Sequence, residues 1–486
     1  MKNKPIFFHP ASLYFLLILV VMLCSWIAAS YGVRVAHPQT GELVEVRSLM
    51  SAEGMRWLLR NLFVHFTSFK PVGLVLVGLL GLGIAQHSGF LDSLMHLILQ
   101  LRPRPHLIIL FVIWAGMLSN VIGDVGYLFL LPLSATLFQA VRLSPVAGLI
   151  TSYVSVACAY SANILVGTMD PIMANITVQA LDQVGFSTYT CGPMSNYWFM
   201  SASFIVLSVV IYQVTVRVLL PQLHENTGSW KKIQEIPTKL APYEYRALRA
   251  AGITGICYII VLILAATLPN GFLRGVDGNL LRSPMIQSAL FLVTFGLGLC
   301  GMVYGFAVGK YRNDRDLFDG MTYYTKLLGA FLVLAFFAAQ LFACMQFSEL
   351  DKYLAIVSAQ WMTGLSFGTY ATLIIFVLFC AFSNLLMVSA TGKWSFLAYI
   401  FIPALAAHGI APEVTQCAYR IGDSATNGLT PLLYYIPLVL MFLKEYQADA
   451  GFGRIIKYTW KYSVAILFVW LILFVGWLAL GIPIGM

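Results

Sequence analysis

Ionisable side chains are rare in the two longest interrupted apolar stretches of this chain, and five of them stand out because they lie beside helix-breaking residues. They are Asp124, Asp170, Lys393, Arg420 and Asp423. A charge in a hydrocarbon environment is costly, so such groups usually form pairs or serve a function. Burial disfavours a charged carboxyl group, which makes it a candidate proton site, and a guanidinium group can bind a carboxylate through two parallel hydrogen bonds. These residue types therefore suit proton exchange and anion binding.

Arg420 and Asp423 lie three positions apart, so they share one face if this part of the chain is helical. Two interpretations are open: a salt bridge that helps the helices to pack, and a binding site. Small and polar neighbours favour the site, because an unwound backbone frees N–H and C=O groups that need a cavity or a ligand. Those neighbours are Gly422, Ser424, Thr426, Asn427, Gly428 and Pro431.

Asp170 follows a similar run of small and polar residues, which we interpret as a second break in a helix. The run contains Ser161, Asn163, Gly167 and Thr168, and Pro171 comes directly after Asp170. Ser161 and Asn163 are candidate substrate contacts, and Gly167 and Pro171 are candidate hinge residues. Asp170 is a candidate proton site; the alternative is that it caps a helix within the protein.

The sequence Ser-Ala-Thr-Gly-Lys-Trp at 389–394 has the small and hydroxyl residues typical of a hairpin tip. Trp394 offers an aromatic face for a ligand that contains a ring, although an ordinary packing role fits it too. Lys393 is expected to reach towards water along its aliphatic stem. Thr391 is a candidate substrate contact and Gly392 a candidate hinge residue.

The composition defines the class of protein that must position these residues. Of 486 residues, 59% are hydrophobic and only 10% are charged, whereas a soluble domain carries roughly 25% charged residues. The eight cysteines are scattered singly, without metal-binding spacing, so we expect them to be packing residues. We therefore predict an all-α polytopic membrane protein that lies in a lipid bilayer and binds no nucleic acid.

The distribution of positive charge predicts the orientation of the chain. Lysine and arginine cluster before the first apolar span, around 102–104, throughout 221–252 and before the last span. All of these segments are cytoplasmic if the N-terminus is cytoplasmic. Stretch 106–220 then starts and ends inside, while 347–443 starts outside and ends inside. This arrangement predicts about nine transmembrane helices and two re-entrant helical hairpins.

The two interrupted stretches also resemble each other. Ser-Asn pairs at 119–120 and 383–384 lie 264 positions apart, and Ala-Tyr pairs at 159–160 and 418–419 lie 259 apart. Because the two copies start on opposite sides of the membrane, we interpret them as inverted repeats, the usual plan of secondary transporters. The expected segments are N-terminal membrane helices with a periplasmic amphipathic segment (1–105), a first repeat with a broken helix (106–220), a cytoplasmic linker (221–252), central membrane helices (253–346), a second repeat with a broken helix (347–443) and a C-terminal helix (444–486).

Several of these strings resemble the AbgT family, the bacterial p-aminobenzoyl-glutamate transporters, over nearly the whole chain. The most specific is Ala-Tyr-Arg-Ile-Gly-Asp-Ser at 418–424; the others are 389–394, Thr430-Pro431, 161–163 and 167–171. The resemblance implies a homodimer with nine spans and two re-entrant hairpins per subunit. It also implies transport of p-aminobenzoyl-glutamate in a bacterial inner membrane, with proton-driven export of sulfonamides by some relatives.

By motif position, the resemblance assigns functional roles to five residues and to two prolines. They are Asp170, Thr391, Trp394, Arg420, Asp423, Pro412 and Pro431. Asp170 and Asp423 are the expected ion-coupling groups. Thr391 replaces the more usual serine, and Gly392 stands where alanine is common, which leaves fine substrate choice open.

Competing functions remain at this stage. A Na⁺-coupled dicarboxylate carrier is one, because Asn163 and Asn427 with unwound carbonyls suit Na⁺. An intramembrane aspartyl protease would use Asp124, Asp170 or Asp423, but none has the Gly-x-Gly-Asp context of such enzymes. A passive channel is a third. No P-loop or His-Glu-x-x-His string occurs, so we expect no cofactor and no bound metal beyond a coupling ion, H⁺ or Na⁺.

Overall fold

A computed structural model describes residues 10–36, 41–100, 104–122, 125–182, 191–224, 240–275, 283–363, 368–406 and 409–486. These residues are helical almost throughout, which confirms the predicted fold class. One small antiparallel sheet pairs β1 (Arg34–Ala36) with β2 (Leu43–Glu45).

Four helices precede the first interrupted stretch, and five more follow up to the polar segment in the middle of the chain. The first four are α1 (Pro10–Ser30), α2 (Ala52–Thr67), α3 (Lys70–His87) and α4 (Phe90–Gln100). The next are α5 (Pro105–Ser119), α6 (Val125–Ala140), α7 (Pro145–Ala157), α8 (Met169–Asp182) and α9 (Tyr197–Val214). A π-helical turn (Thr215–Leu219) joins α9 to α10 (Leu220–His224).

The second half of the chain repeats this pattern of long and short helices. Its central helices are α11 (Pro242–Thr267), α12 (Pro284–Gln287), α13 (Ala289–Ala307), α14 (Asp314–Met321), α15 (Thr325–Ser348) and α16 (Leu350–Thr363). The last five are α17 (Thr369–Leu386), α18 (Ala390–Ala406), α19 (Pro412–Ala425), α20 (Ile436–Tyr446) and α21 (Phe452–Ala479).

Among the described residues, 8 helical segments are long and apolar enough to cross a membrane. The chain is therefore a multi-pass membrane protein, because a bilayer needs about 20 apolar residues per helical crossing. The count of nine full spans with two re-entrant hairpins stays a prediction. The eight segments are Ala11–Ser30, Ala52–His87, Tyr197–Leu223, Pro242–Thr267, Ala289–Ala307, Leu328–Ser348, Thr369–Leu386 and Phe452–Ala479.

The two interrupted stretches contain the same order of elements. In each, two helices joined by a short tip (α5 and α6; α17 and α18) precede two helices separated by a non-helical break. We call α5–α6 the first hairpin and α17–α18 the second hairpin. The first break covers 158–168 and the second 426–435. Both returning helices contain an internal proline, Pro132 in α6 and Pro403 in α18. The inverted orientation of the two stretches stays a prediction.

The two stretches pack crosswise. Each hairpin contacts the helix before its own break, and its returning helix contacts the helix after the other break: α18 packs on α8 and α6 on α20. Glycine permits close approach within each stretch. A Cβ on Gly148 of α7 would lie 2.3 Å from the Ser134 carbonyl oxygen, and one on Gly422 of α19 would lie 2.4 Å from the Val377 carbonyl oxygen. Both breaks therefore lie inside one continuous core.

Candidate functional site

Arg420 forms a buried salt bridge with Asp170, across the two interrupted stretches. Its Nη1 lies 2.7 Å from Asp170 Oδ1, and the two side chains are 6% and 13% exposed. Asp170 Oδ2 also accepts a hydrogen bond from the Gly167 amide at 2.6 Å, which caps the start of α8. The predicted partnership of Arg420 with Asp423 is therefore wrong, since the guanidinium group joins a helix of the first stretch to α19. The helix-cap alternative for Asp170 fits this arrangement, and its role as a proton site stays a prediction.

Asp423 pairs instead with Lys393 of the second hairpin. Lys393 Nζ lies 2.8 Å from Asp423 Oδ1 and donates to Asn384 Oδ1 at 3.0 Å. It also lies 5.6 Å from the centre of the Tyr419 ring. Lys393 has an exposed fraction of 0%. The expectation that it reaches towards water is wrong, because the second hairpin and α19 enclose its ammonium group.

Trp394 is also fully enclosed in this conformation. Its ring stacks on Tyr419 with centroids 4.5 Å apart, and its Nε1 donates to Thr177 Oγ1 of α8 at 3.1 Å. The side chain thus fixes the second hairpin against α8 and α19. In this conformation Trp394 fits the interpretation of an ordinary packing residue. The other interpretation, that it stacks on the ring of a ligand, stays a prediction.

Side-chain hydrogen bonds join the two breaks to each other. The hydroxyl groups of Ser424 and Ser161 lie 2.9 Å apart. Asn427 Nδ2 donates to the Ala157 carbonyl at 3.0 Å, and its Oδ1 accepts from Asn384 at 2.9 Å. The candidates Ser161 and Asn427 therefore both take part in the contacts between the two breaks, and their role as substrate contacts stays a prediction.

Asn163 differs from Asn427 in one respect. Its Nδ2 donates to the Met117 carbonyl at 2.9 Å, but its buried Oδ1 has no hydrogen-bond partner among the described residues. Asn120, at the tip of the first hairpin, also has a buried Oδ1 without a partner. A buried oxygen of this kind normally has a partner, so water or a cation would satisfy it.

A cavity of about 240 Å³ lies between the second hairpin and the two breaks. Its wall contains the Asp423 carboxylate, Thr391 and four tyrosines that the sequence alone did not single out. The start of α8, the start of α18 and the residue before α20 all border it. Its lining residues are Tyr127, Tyr160, Met169, Val388, Ser389, Ala390, Thr391, Asp423, Asn427, Leu433, Tyr434 and Tyr435.

The signal that could have found the tyrosines is their place in the chain. Tyr160, Tyr434 and Tyr435 lie within the breaks, and Tyr127 lies in the first turn of the first hairpin's returning helix. Tyr127 and Tyr435 stack with ring centroids 4.4 Å apart at an angle of 10°. The cavity therefore offers flat aromatic surface beside a carboxylate, and the N-terminal ends of helices carry partial positive charge towards it.

The predicted hinge residues occupy different kinds of position. Gly167 and Pro431 lie in the two non-helical breaks, as predicted. Pro412 is the first residue of α19. Two further predicted hinge residues lie in the first turn of a helix, Pro171 in α8 and Gly392 in α18. The prediction for Gly422 is wrong, because α19 continues through it and its missing side chain serves the contact with α17. Asp124 lies outside the described residues.

Among the described residues, Asp170 and Asp423 each hold a separate cation rather than each other. A pair of carboxyl groups that share a proton, which aspartyl proteases require, is therefore not formed by these two. The arrangement suits transfer of protons and anions better than peptide hydrolysis.

Comparisons with known proteins agree with this geometry. The model of the AbgT putative transporter family matches residues 5–486. The p-aminobenzoyl-glutamate transport protein of Escherichia coli (strain K12) is 29% identical over 479 residues, which cover 98% of this chain and 93% of that protein.

Two solved structures share the fold. The YdaH transporter of Alcanivorax borkumensis is 34% identical with a TM-score of 0.55, covering 98% of this chain and 100% of its own. MtrF of Neisseria gonorrhoeae, described among antimetabolite efflux pumps, is 35% identical with a TM-score of 0.53, covering 97% and 95%.

The fold and the similarity to these proteins together define the class of protein. It is a multi-pass membrane transporter and not an enzyme. Because the family model spans nearly the whole length, the match does not rest on a single shared motif. The chain belongs to the AbgT putative transporter family, and the resemblance in its motifs is confirmed.

Proposed function

We propose that this protein is a proton-coupled secondary transporter of p-aminobenzoyl-glutamate or a related aromatic dicarboxylate. The observation that carries the proposal is the 240 Å³ cavity, which combines stacked tyrosines, helix N-termini and the Asp423 carboxylate. The substrate for which the Escherichia coli relative is named, an aromatic amine joined to a dicarboxylate, has chemical groups that complement each of these three features. Export of sulfonamides fits the same cavity, since these drugs share the aromatic amine.

The cavity suggests how such a substrate binds. The benzoyl ring fits the tyrosine surface, where an aromatic contact contributes about 0.5–1.5 kcal/mol. The aromatic amine donates to Asp423, and the glutamate carboxylates lie towards the N-terminal ends of α8 and α18. Arg420 becomes available to a carboxylate when Asp170 takes up a proton and releases it. The two buried aspartates thereby link substrate binding to proton binding.

Sodium coupling is the second candidate, and one observation favours it. The buried Oδ1 atoms of Asn120 and Asn163 lack hydrogen-bond partners among the described residues. Amide oxygens are suitable ligands for a hard cation. Asn427, the other residue considered for Na⁺, has both its amide groups engaged by protein atoms.

Flux into liposomes containing the purified protein tests both candidates. Radiolabelled p-aminobenzoyl-glutamate is supplied with a pH gradient alone, then with a Na⁺ gradient alone. We expect saturable accumulation driven by the pH gradient. Accumulation that needs only Na⁺ would establish the second candidate, and passive equilibration without saturation would contradict both.

We further propose that the protein is a homodimer in a bacterial inner membrane with a cytoplasmic N-terminus, on the basis of its positive loops and its family. A cysteine at Lys310 should then react with a membrane-impermeant reagent from the cytoplasm, and one at Asn270 from the periplasm. Both residues are exposed and lie on the two sides of α13 in sequence. The reverse pattern would overturn the orientation, and a monomeric mass in light scattering would overturn the dimer.

A further inference from the structure

No binding role has been assigned to Lys393 above. It is nevertheless the least exposed of the charged side chains of the site. Its ammonium group contacts Asp423, Asn384 and the ring of Tyr419, and no part of it is exposed. Of these partners, only Asp423 supplies a negative charge. An ammonium group in this environment needs that charge, because burial removes the stabilisation that water would give it.

The two members of the pair differ in access. Asp423 lines the 240 Å³ cavity, whereas Lys393 does not. A proton that arrives through the cavity therefore reaches the carboxylate and not the amine. Protonation of Asp423 would neutralise its charge and leave Lys393 without an ionic partner.

Tyr419 connects this event to the tip of the second hairpin. Its hydroxyl lies 3.1 Å from Asp423 Oδ1 and 2.6 Å from the carbonyl oxygen of Ala390, the first residue of α18. A hydroxyl group has one hydrogen, so it donates to only one of the two acceptors at a time. A protonated Asp423 becomes a donor itself, which leaves the Tyr419 hydrogen to the Ala390 carbonyl, so the contact that protonation removes is the ionic one with Lys393.

We propose that Lys393 is the positioning residue of a proton-sensitive lock between the second hairpin and α19. While Asp423 is ionised, its ion pair with Lys393 holds the hairpin tip against α19. When Asp423 takes a proton from the cavity, the ionic contact is lost and the tip is released. The proposal rests on the proposed proton coupling for its purpose, but the lock itself is independent of which substrate is carried.

Other titratable and charged groups lie near the Lys393–Asp423 pair. Cys380 of α17 lies within electrostatic reach of both charges. Arg420 of α19 is held by Asp170 of α8, and the remaining titratable groups that line the cavity are tyrosines of the first hairpin and the two breaks. Cys417 of α19 is near Arg420 rather than Lys393. Lys393 is thus the cation in direct contact with Asp423 in the described part of the chain.

The test measures the accessibility of the hairpin tip and needs no substrate. Ala390→Cys is introduced after Cys24 and Cys257, the two exposed cysteines, are changed to serine. Its rate of reaction with a water-soluble thiol reagent is divided at each pH by the rate of Lys310→Cys, an exposed loop position, which corrects for the chemistry of the thiol. We expect the ratio to be low at high pH and to rise as pH falls.

Three variants then locate the cause. Lys393→Gln removes the ionic contact itself, so the tip should react quickly at every pH. Lys393→Arg keeps the charge and should stay near the original midpoint. Lys352→Gln removes a lysine paired with Glu349 at the surface and should change nothing.

The double change Lys393→Gln with Asp423→Asn leaves no unpaired charge and covers the case in which Lys393→Gln does not fold. Its tip should react quickly at every pH. A Lys393→Gln variant or a double variant that keeps the original pH curve would overturn the lock. A failure to transport p-aminobenzoyl-glutamate would contradict the proposed function but leave this result standing.

Discussion

The two hairpins have the same backbone plan but are fastened to their neighbours by different chemistry. The first hairpin meets α7 through neutral groups: Ser134 and Ser152 share a hydrogen bond of 2.7 Å, and Asn120 donates to the Val156 carbonyl at 3.1 Å. The second meets α19 through the Lys393–Asp423 ion pair.

A comparison of residues at the same distance from the start of α7 and of α19 shows the difference in chemistry between the two hairpin contacts. Counted from the prolines that begin α7 and α19, Asp423 corresponds to Val156 and Arg420 to Tyr153. The described part of the first hairpin's returning helix carries no lysine at all. One backbone plan therefore holds a neutral contact in one copy and a titratable one in the other. Among the described residues, the ionic contact with the helix before the break belongs to the second hairpin, which is the copy that the proposed lock uses.

The largest effect should come from the ion pair that joins the two stretches. Asp170→Ala leaves the buried Arg420 without its partner and should lower the free energy of unfolding by about 3–5 kcal/mol. Adding Arg420→Met should recover most of that loss, because no charge then remains unpaired. Thermal unfolding in detergent measures the stability of four proteins: the unchanged protein, Asp170→Ala, Arg420→Met and the double variant.

Liposome flux on the same four proteins separates support from binding. We expect the double variant to recover its stability and not its transport. If flux returns with the fold, Arg420 acts only as a brace between the stretches.

Close packing should not differ between the two copies. Gly148→Ala in α7 and Gly422→Ala in α19 each place a methyl group against a carbonyl oxygen, and each should cost about 1–3 kcal/mol. Gly476→Ala in α21 is the control, since nothing lies within 4 Å of its added Cβ. Unequal losses for Gly148 and Gly422, measured by thermal unfolding, would break the structural equivalence of the copies.

The neutral contact should be weaker than the ionic one and indifferent to pH. Ser152→Ala removes one partner of Ser134, which keeps a 2.8 Å hydrogen bond to the Leu131 carbonyl, so the cost should be about 1 kcal/mol. The loss should be equal at pH 5 and pH 8. A pH-dependent loss for Ser152→Ala would remove the contrast.

The smallest effect is expected at Tyr153, which holds the place of Arg420 in the first copy. Its hydroxyl donates to the Asn427 carbonyl over a long 3.4 Å. Tyr153→Phe should therefore cost about 0.5 kcal/mol and leave flux close to that of the unchanged protein. A loss of flux comparable to that of Arg420→Met would show that the two positions share a role.

The positions of the two breaks could be predicted well from the sequence. The side chains that pair with one another there could not. Ser161, Gly167 and Pro431 were recognised because glycine, proline and small polar residues interrupt apolar periodicity locally. The partner of Arg420 was missed because Asp170 lies on another helix, far away in the chain. Spacing of three positions places two side chains on one helical face, but it does not decide what each of them meets there.

Aromatic residues show the same limit. Trp394 and Tyr435 both lie beside breaks, yet the first is enclosed against Tyr419 while the second borders the cavity. That difference depends on how the second hairpin docks on α8 and α19, which is a tertiary property. Composition is sufficient to predict a membrane protein because it reflects the whole chain. The direction of one aromatic ring depends instead on a few tertiary contacts.

The crosswise packing of α18 on α8 and of α6 on α20 bears on energetic efficiency. A carrier wastes its driving gradient when one gate opens while the opposite gate is still open, because ions then slip through without cargo. Since each hairpin borders a helix of the other stretch, neither returning helix can shift without disturbing the far half. In the ion-coupled carrier proposed above, this packing would oppose slippage before any ligand or ion is bound.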